Sequence, residues 1–197
     1  PFFFAHKELD QLFFQEESMQ LVPRDLIARI SEETSKSCYL SFQKMLKEDR
    51  IDLFFLGDFN EIEVFENLKK FDLTGRKETV NIQYQQSYSN VLREGIARKN
   101  LGQSILEMGY HSTIGYGDDQ KMALLLVNGL LGAFPHSRLF TQVREKEGLA
   151  YTVSSHLDLF SGFLRLFAGI NRQNRNKVRK LMNDQLLAIK NGRFTDS

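Results

Sequence analysis

One cysteine, three prolines and no tryptophan occur among the 197 residues. A lone thiol, Cys38, can neither close an internal disulfide nor build a cysteine-based zinc site. This fits a reducing compartment, so a cytoplasmic location is expected. Cys38 itself reads as a small core residue. An excess of charge is also missing, since 26 basic and 25 acidic side chains leave a formal net charge of +1. Nucleic-acid binding draws on a surplus of Lys and Arg against phosphate, so nucleic acid is not an expected partner. Long apolar runs are absent too. The longest, Met122 to Phe134, is broken by Asn128, Gly129 and Gly132, whereas a hydrocarbon layer takes roughly 20 residues to cross; no membrane span is expected. What is there is 42% hydrophobic and 26% charged residues, the make-up of a soluble globular chain able to bury one large core or two modest ones. The chain opens Pro1-Phe2-Phe3-Phe4 without a charged leader region and stops at Ser197 directly after a helical pattern. It reads as a piece of a longer protein.

Periodicity lays out the elements. Leu9, Leu12, Phe13 and Phe14 predict a helix over 9–19. Pro23-Arg24-Asp25 suits a first helical turn, and Leu26, Ile30, Tyr39, Phe42, Met45 and Leu46 extend one long amphipathic helix to Asp49. Ile51 to Leu56 is a strand-like apolar run ended by Gly57-Asp58, and Val64, Phe65, Leu68 and Phe71 then give a helical face. The polar stretch 72–78 is the expected linker between two units. Strands are expected over 79–86 and 103–110, followed by an interior helix, Lys121 to Leu131, apolar nearly all round. Ser137 is the expected N-cap of a helix to about Lys146. Tyr151 to Leu157 and Phe163 to Ile170 form a hairpin around 158–162, and a closing helix from Asn171 stops at Gly192. Helices and strands in runs predict an α+β fold, with helices covering an antiparallel or mixed sheet. A weak echo, Leu53 to Gly57 with Asn60 against Leu166 to Gly169 with Asn171, is what two copies of one unit would leave.

Candidate chemistry is sparse. His6, His111, His136 and His156 are scattered, and neither HExxH nor HxxEH surrounds any of them, so no metal ligand is assigned. No nucleophile elbow and no phosphate loop occur. Gly115 to Asp119 is a glycine turn whose two acids repel phosphate, and Asp118 or Asp119 reads as a helix cap. The informative stretch is Pro135 to Ser155, PHSRLFTQVREKEGLAYTVSS. There a helix delivers Arg144 near its end, Gly148 breaks it, and a strand presents Tyr151. Two readings stand. Either Arg144 complements the helix dipole and Tyr151 is one more strand aromatic, or both point into one cavity.

At these residues the sequence resembles the insulysin, pitrilysin and mitochondrial-processing-peptidase family, whose second lobe carries a similar Ser-Arg-Leu-Phe helix, arginine and Leu-x-Tyr strand at this spacing. Asn128 to Gly132, Phe167 to Ile170 and Ile51 to Gly57 are further landmarks, and the run FPHSRLFTQVREKEGLAY looks most like the bacterial partner subunit that lacks the zinc motif. The resemblance implies two homologous lobes, the first only partly present: residues 1–71 as the end of that lobe, 72–78 as linker and 79–197 as most of the second. It implies Arg144 and Tyr151 as substrate-binding donors, no catalytic residue or metal ligand in this chain, and zinc on a homologous partner lobe or subunit. The implied role is a zinc-free substrate-binding partner of a peptidase acting on peptides or precursor proteins. Alternatives are the C-terminal part of a self-sufficient zinc peptidase with HxxEH upstream, and a structural subunit without peptidase duty. Pairing of the piece with itself through exposed strands or apolar faces is a further expectation.

Overall fold

A computed structural model describes residues 2–22, 26–71, 86–88, 91–100 and 102–193. By packing, the chain divides into two units, residues 1–21 with 84–197, and residues 22–83. The expected linker 72–78 and nearly all of the expected strand 79–86 lie outside the described residues.

The larger unit is built on a three-stranded antiparallel sheet of β1 (Ser104–His111), β2 (Ala150–Asp158) and β3 (Phe163–Ile170), in the order β1-β3-β2. The expected hairpin is β2 and β3, turning through Gly162 at φ 65°, a left-handed conformation that favours glycine. β3 is central and buried along nearly its whole length, so its side chains are apolar toward both layers except Arg165, which is ion-paired on the α1 side. One face carries Leu166, Ala168 and Ile170 with Val153 and Ala150, packed against Leu131, Leu139, Val143, Val178 and Met182. These last five come from the helical segments that cover this face. The other face is covered by α1 (Phe2–Phe13). There Phe2 packs on Phe167, with ring centroids 4.5 Å apart, and Phe13 on Phe163 at 4.2 Å. The helix thus starts seven and ends six residues nearer the N-terminus than 9–19 suggested, and a separate turn, α2 (Glu17–Gln20), follows it.

Two helical segments of this unit depart from the expectation. Lys121 to Leu131 is not one interior helix. α6 (Lys121–Asn128) has no buried residue, and burial begins only in the following π-turn, Gly129–Ala133, at Gly129, Leu131 and Gly132. The turn closes through Phe134 N–H to Gly129 C=O, 2.9 Å. Close approach explains Gly132: a Cβ there would lie 2.6 Å from the Ser155 backbone nitrogen. Neither Asp118 nor Asp119 caps α6: the N-cap position is Gln120, without a side-chain cap bond, and Asp118 instead accepts from Gln120 N–H at 2.7 Å in the turn before the helix. Ser137 stands at the expected start of the next helix, its carbonyl accepting from Thr141 N–H, but its side chain does not cap: the residue is 1% exposed and its Oγ has no hydrogen-bond partner. The helix that follows becomes a π-helix over Phe140–Lys146. The closing helix, α7 (Arg175–Lys190), follows a 3-10 turn at Arg172–Asn174, and Gly192 ends it at φ 64°.

The smaller unit holds α3 (Ile27–Ile30), α4 (Ser35–Glu48) and α5 (Glu61–Leu68). The single long helix expected through to Asp49 is broken because Thr34 and Ser37 form a capping box that starts α4 afresh, satisfying N–H groups that a continuous helix would have used internally. Ile51 to Leu56, expected as a strand, joins no ladder among the described residues. A strand needs a neighbour for its N–H and C=O groups, and none is paired with it here. Cys38, expected in a core, is exposed on α4. The two-copy echo is not repeated structurally: Asn60 caps α5 by accepting from Ile62 N–H at 3.0 Å, whereas Asn171 makes no helix cap.

Candidate functional site

The stretch from Phe140 to Asn171 brings the two predicted site residues to one end of the sheet. Arg144 lies on the exposed side of the π-helix, and its guanidinium sits over the Phe140 ring, 4.8 Å from the centroid. The helix stops two residues on. Gly148 takes φ 61°, Leu149 N–H bonds back to Val143 C=O at 3.0 Å, and β2 begins at Ala150. Helix end and strand start are therefore clasped together by the backbone.

Tyr151 owes its direction to a bulge. Ala150 pairs with Ile170 and Thr152 with Gly169, so two steps on β2 are taken against one on β3 and Tyr151 is the extra residue. Along the rest of β2, Val153, Ser155 and Leu157 are buried and alternate with exposed positions. Strict alternation would bury Tyr151 as well. The bulge rotates it outward, leaving it 57% exposed with its hydroxyl donating to Asn171 Oδ1 at 3.1 Å. No hydrogen bond joins the Arg144 and Tyr151 side chains among the described residues. What links them is the chain itself, through the turn at Gly148 and the Leu149 to Val143 backbone bond.

Asn171 and Arg172 follow the last residue of β3, which pairs with the first of β2, so they belong to the same end of the sheet. Sequence reasoning passed over them as site residues. The hairpin signal could have found Asn171, since the end of one strand faces the start of the other; the bulge left no trace in the pattern. Charges around this end are partly neutralised. Lys177 bonds Glu147 at 2.8 Å and holds that carboxyl below its usual range, and Glu94 pairs with both Arg175 and Arg179.

A second charged cluster lies on the opposite face of the sheet, beneath α1. Arg165 reaches Asp10 at 2.5 Å and Glu107 at 2.6 Å, and His6 Nδ1 lies against the other Glu107 oxygen. Burial, opposed by Arg165, raises Glu107 to about 7 and raises Asp10. Burial, aided by the Arg165 charge, lowers His6 to about 4. The arrangement fixes α1 to the sheet. It does not suit zinc, because the guanidinium already occupies the carboxylates, and among the described residues no group of three His, Cys, Asp or Glu side chains could hold a metal ion. Among those residues, too, no helix is long and apolar enough to cross a membrane.

The family description "Peptidase M16 inactive domain" matches residues 36–197. This chain belongs to that family. It is 32% identical over 164 residues to a protein of Bacillus subtilis (strain 168) named "Probable inactive metalloprotease YmfF", a match covering 83% of this chain and 38% of that one. It is also 36% identical over 81 residues to "Uncharacterized zinc protease SCO5738" of Streptomyces coelicolor, covering 40% of this chain and 18% of that protein. Among solved structures, a conserved protein from Enterococcus faecalis V583 is similar with a TM-score of 0.89 and 40% identity, over 98% of this chain and 46% of that chain. A protease from Helicobacter pylori, at 20% identity over 72% of this chain and 36% of its own, shares the fold with a TM-score of 0.53. The chain thus spans less than half the length of each of these proteins.

Proposed function

We propose that this chain is the zinc-free, substrate-holding part of an M16 peptidase assembly, in which a zinc-bearing homologous lobe or subunit cleaves the peptide that this chain holds. The observation that carries the reading is the bulge at Tyr151, which presents to solvent a phenol that strand alternation would bury. Arg144, exposed at the end of the helix clasped to that strand, is the second donor. Guanidinium N–H and phenol O–H both donate to a substrate carbonyl or to the oxyanion that forms from it. The hydroxyl's bond to Asn171 is the one the substrate oxygen replaces. β2 pairs on one side only among the described residues, and an extended peptide gains sequence-tolerant affinity by adding to such an edge. Hydrolysis belongs to the zinc-bearing partner, and this chain contributes binding and orientation.

The test is peptide turnover by the assembled enzyme carrying Arg144→Ala or Tyr151→Phe. Each lowers the rate by about 100- to 1,000-fold, the usual loss for one oxyanion donor, with circular dichroism unchanged. Unchanged turnover in both variants would sink the donor role and favour a structural subunit. A second reading, the C-terminal part of a self-sufficient zinc peptidase, is favoured by relatives that are named zinc proteases. Zinc content of the natural full-length protein after dialysis separates the two, about one ion per chain meaning self-sufficiency and none meaning a separate zinc-bearing partner.

A further inference from the structure

We infer that Arg172 makes the Arg144 and Tyr151 corner a carboxylate-recognising site, so that the peptide held there carries an acidic group, either its C-terminal carboxylate or an acidic side chain. The inference rests on the substrate-holding reading above and adds the chemical class of the substrate.

Position comes first. Ile170 pairs with Ala150, Asn171 accepts the Tyr151 hydroxyl, and Arg172 opens the 3-10 turn that Asn174 N–H closes on Asn171 C=O at 2.9 Å. Arg172 is thereby held one residue beyond the group that contacts Tyr151. Charge comes second. Of the cations at the start of the closing helix, Arg175 and Arg179 are paired with Glu94, and Lys177 with Glu147. Arg172 is exposed and makes no ion pair among the described residues, and the same holds for Arg144, whose guanidinium has the Phe140 ring as its neighbour. Glu94 and Glu147 are therefore engaged by other cations, exposed Glu145 makes no ion pair among the described residues, and the guanidiniums of Arg144 and Arg172, like the amines of Lys146 and Lys180, have no acidic partner there. A guanidinium presents a fork of N–H donors that matches a carboxylate in shape and charge. One substrate can engage both features, with its backbone carbonyl on Tyr151 and Arg144 and its carboxylate on Arg172.

Calorimetric titration of the whole chain tests this with one extended peptide of alternating valine and threonine in three forms: amidated and uncharged, with a free C-terminal carboxylate, and amidated with one internal glutamate. At least one charged form is expected to bind roughly 3- to 10-fold tighter than the uncharged form, as befits a partly exposed charge-assisted contact. Whichever charged form gains identifies the source of the carboxylate. Arg172→Gln and molar salt should both abolish the difference, whereas Arg144→Ala and Tyr151→Phe weaken all three forms. Equal binding of the three, or a charge preference that survives Arg172→Gln, overturns the inference while leaving the substrate-holding reading intact if Arg144→Ala still weakens binding. Failure of every form to bind overturns both.

Discussion

The two units are written in a similar apolar alphabet and handle it differently. In the larger unit a central strand lies between two helical layers, and Leu131, Leu139, Leu166, Val143, Val178 and Met182 are fully enclosed. In the smaller unit no described residue is buried, and Phe54 and Leu56 stand 93% and 104% exposed. Leu53, Phe55, Phe59, Val64, Phe65 and Leu68 line only an open groove of about 430 Å³. The difference is one of layers. An apolar face on a helix or an extended segment is enclosed only when another element lies across it, and among the described residues the sheet supplies that element in the larger unit alone. Such a large exposed apolar surface is rare on a finished monomer.

Substitutions can break this contrast in order of expected size. The largest effect should follow Arg165→Leu, which leaves Asp10 and Glu107 facing each other without their guanidinium; breaking a buried ion pair from one side costs about 3–5 kcal/mol, read as a lowered urea midpoint. Leu166→Ala, at a fully enclosed position, should cost about 2–5 kcal/mol. The matching change in the smaller unit, Leu56→Ala, should stay within about 0.5 kcal/mol. A comparable loss at Leu56 would mean that the smaller unit does have a core.

Protonation sharpens the comparison further. Glu107 is raised from 4.5 to about 7, so its contribution is present below pH 4.5 and is lost as pH rises through about 7. His6 is lowered from 6.5 to about 4, so its contribution is present above pH 6.5 and is lost as pH falls through about 4. Between these limits the two oppose each other. Stability should therefore fall mainly as pH rises from about 6.5 through about 7 and level off above, and Glu107→Gln should flatten that fall. An identical urea midpoint profile in the variant would rule out Glu107 as its origin.

Much of the larger unit could be read directly from residue order. The strand at Ser104–His111, the hairpin of β2 and β3, and the stop at Gly192 follow from period-2 alternation and from glycine's access to positive φ. The α+β class was legible in the same way, whereas Arg144 and Tyr151 were singled out only through family resemblance at that spacing. Other features depended on neighbours distant in sequence. The exposure of α6 and of Cys38, and the missing ladder at Ile51 to Leu56, turn on whether another segment lies opposite, which a local pattern does not encode. The ion cluster of His6, Asp10, Glu107 and Arg165 joins three elements up to 155 positions apart. The bulge that turns Tyr151 outward is a mismatch between two strands rather than a property of either. The sequence by itself determined which segments curl and which extend, because those choices are made within a few residues. Only the tertiary structure decided which apolar faces are enclosed and where Tyr151 points, because both depend on what packs or pairs across the fold.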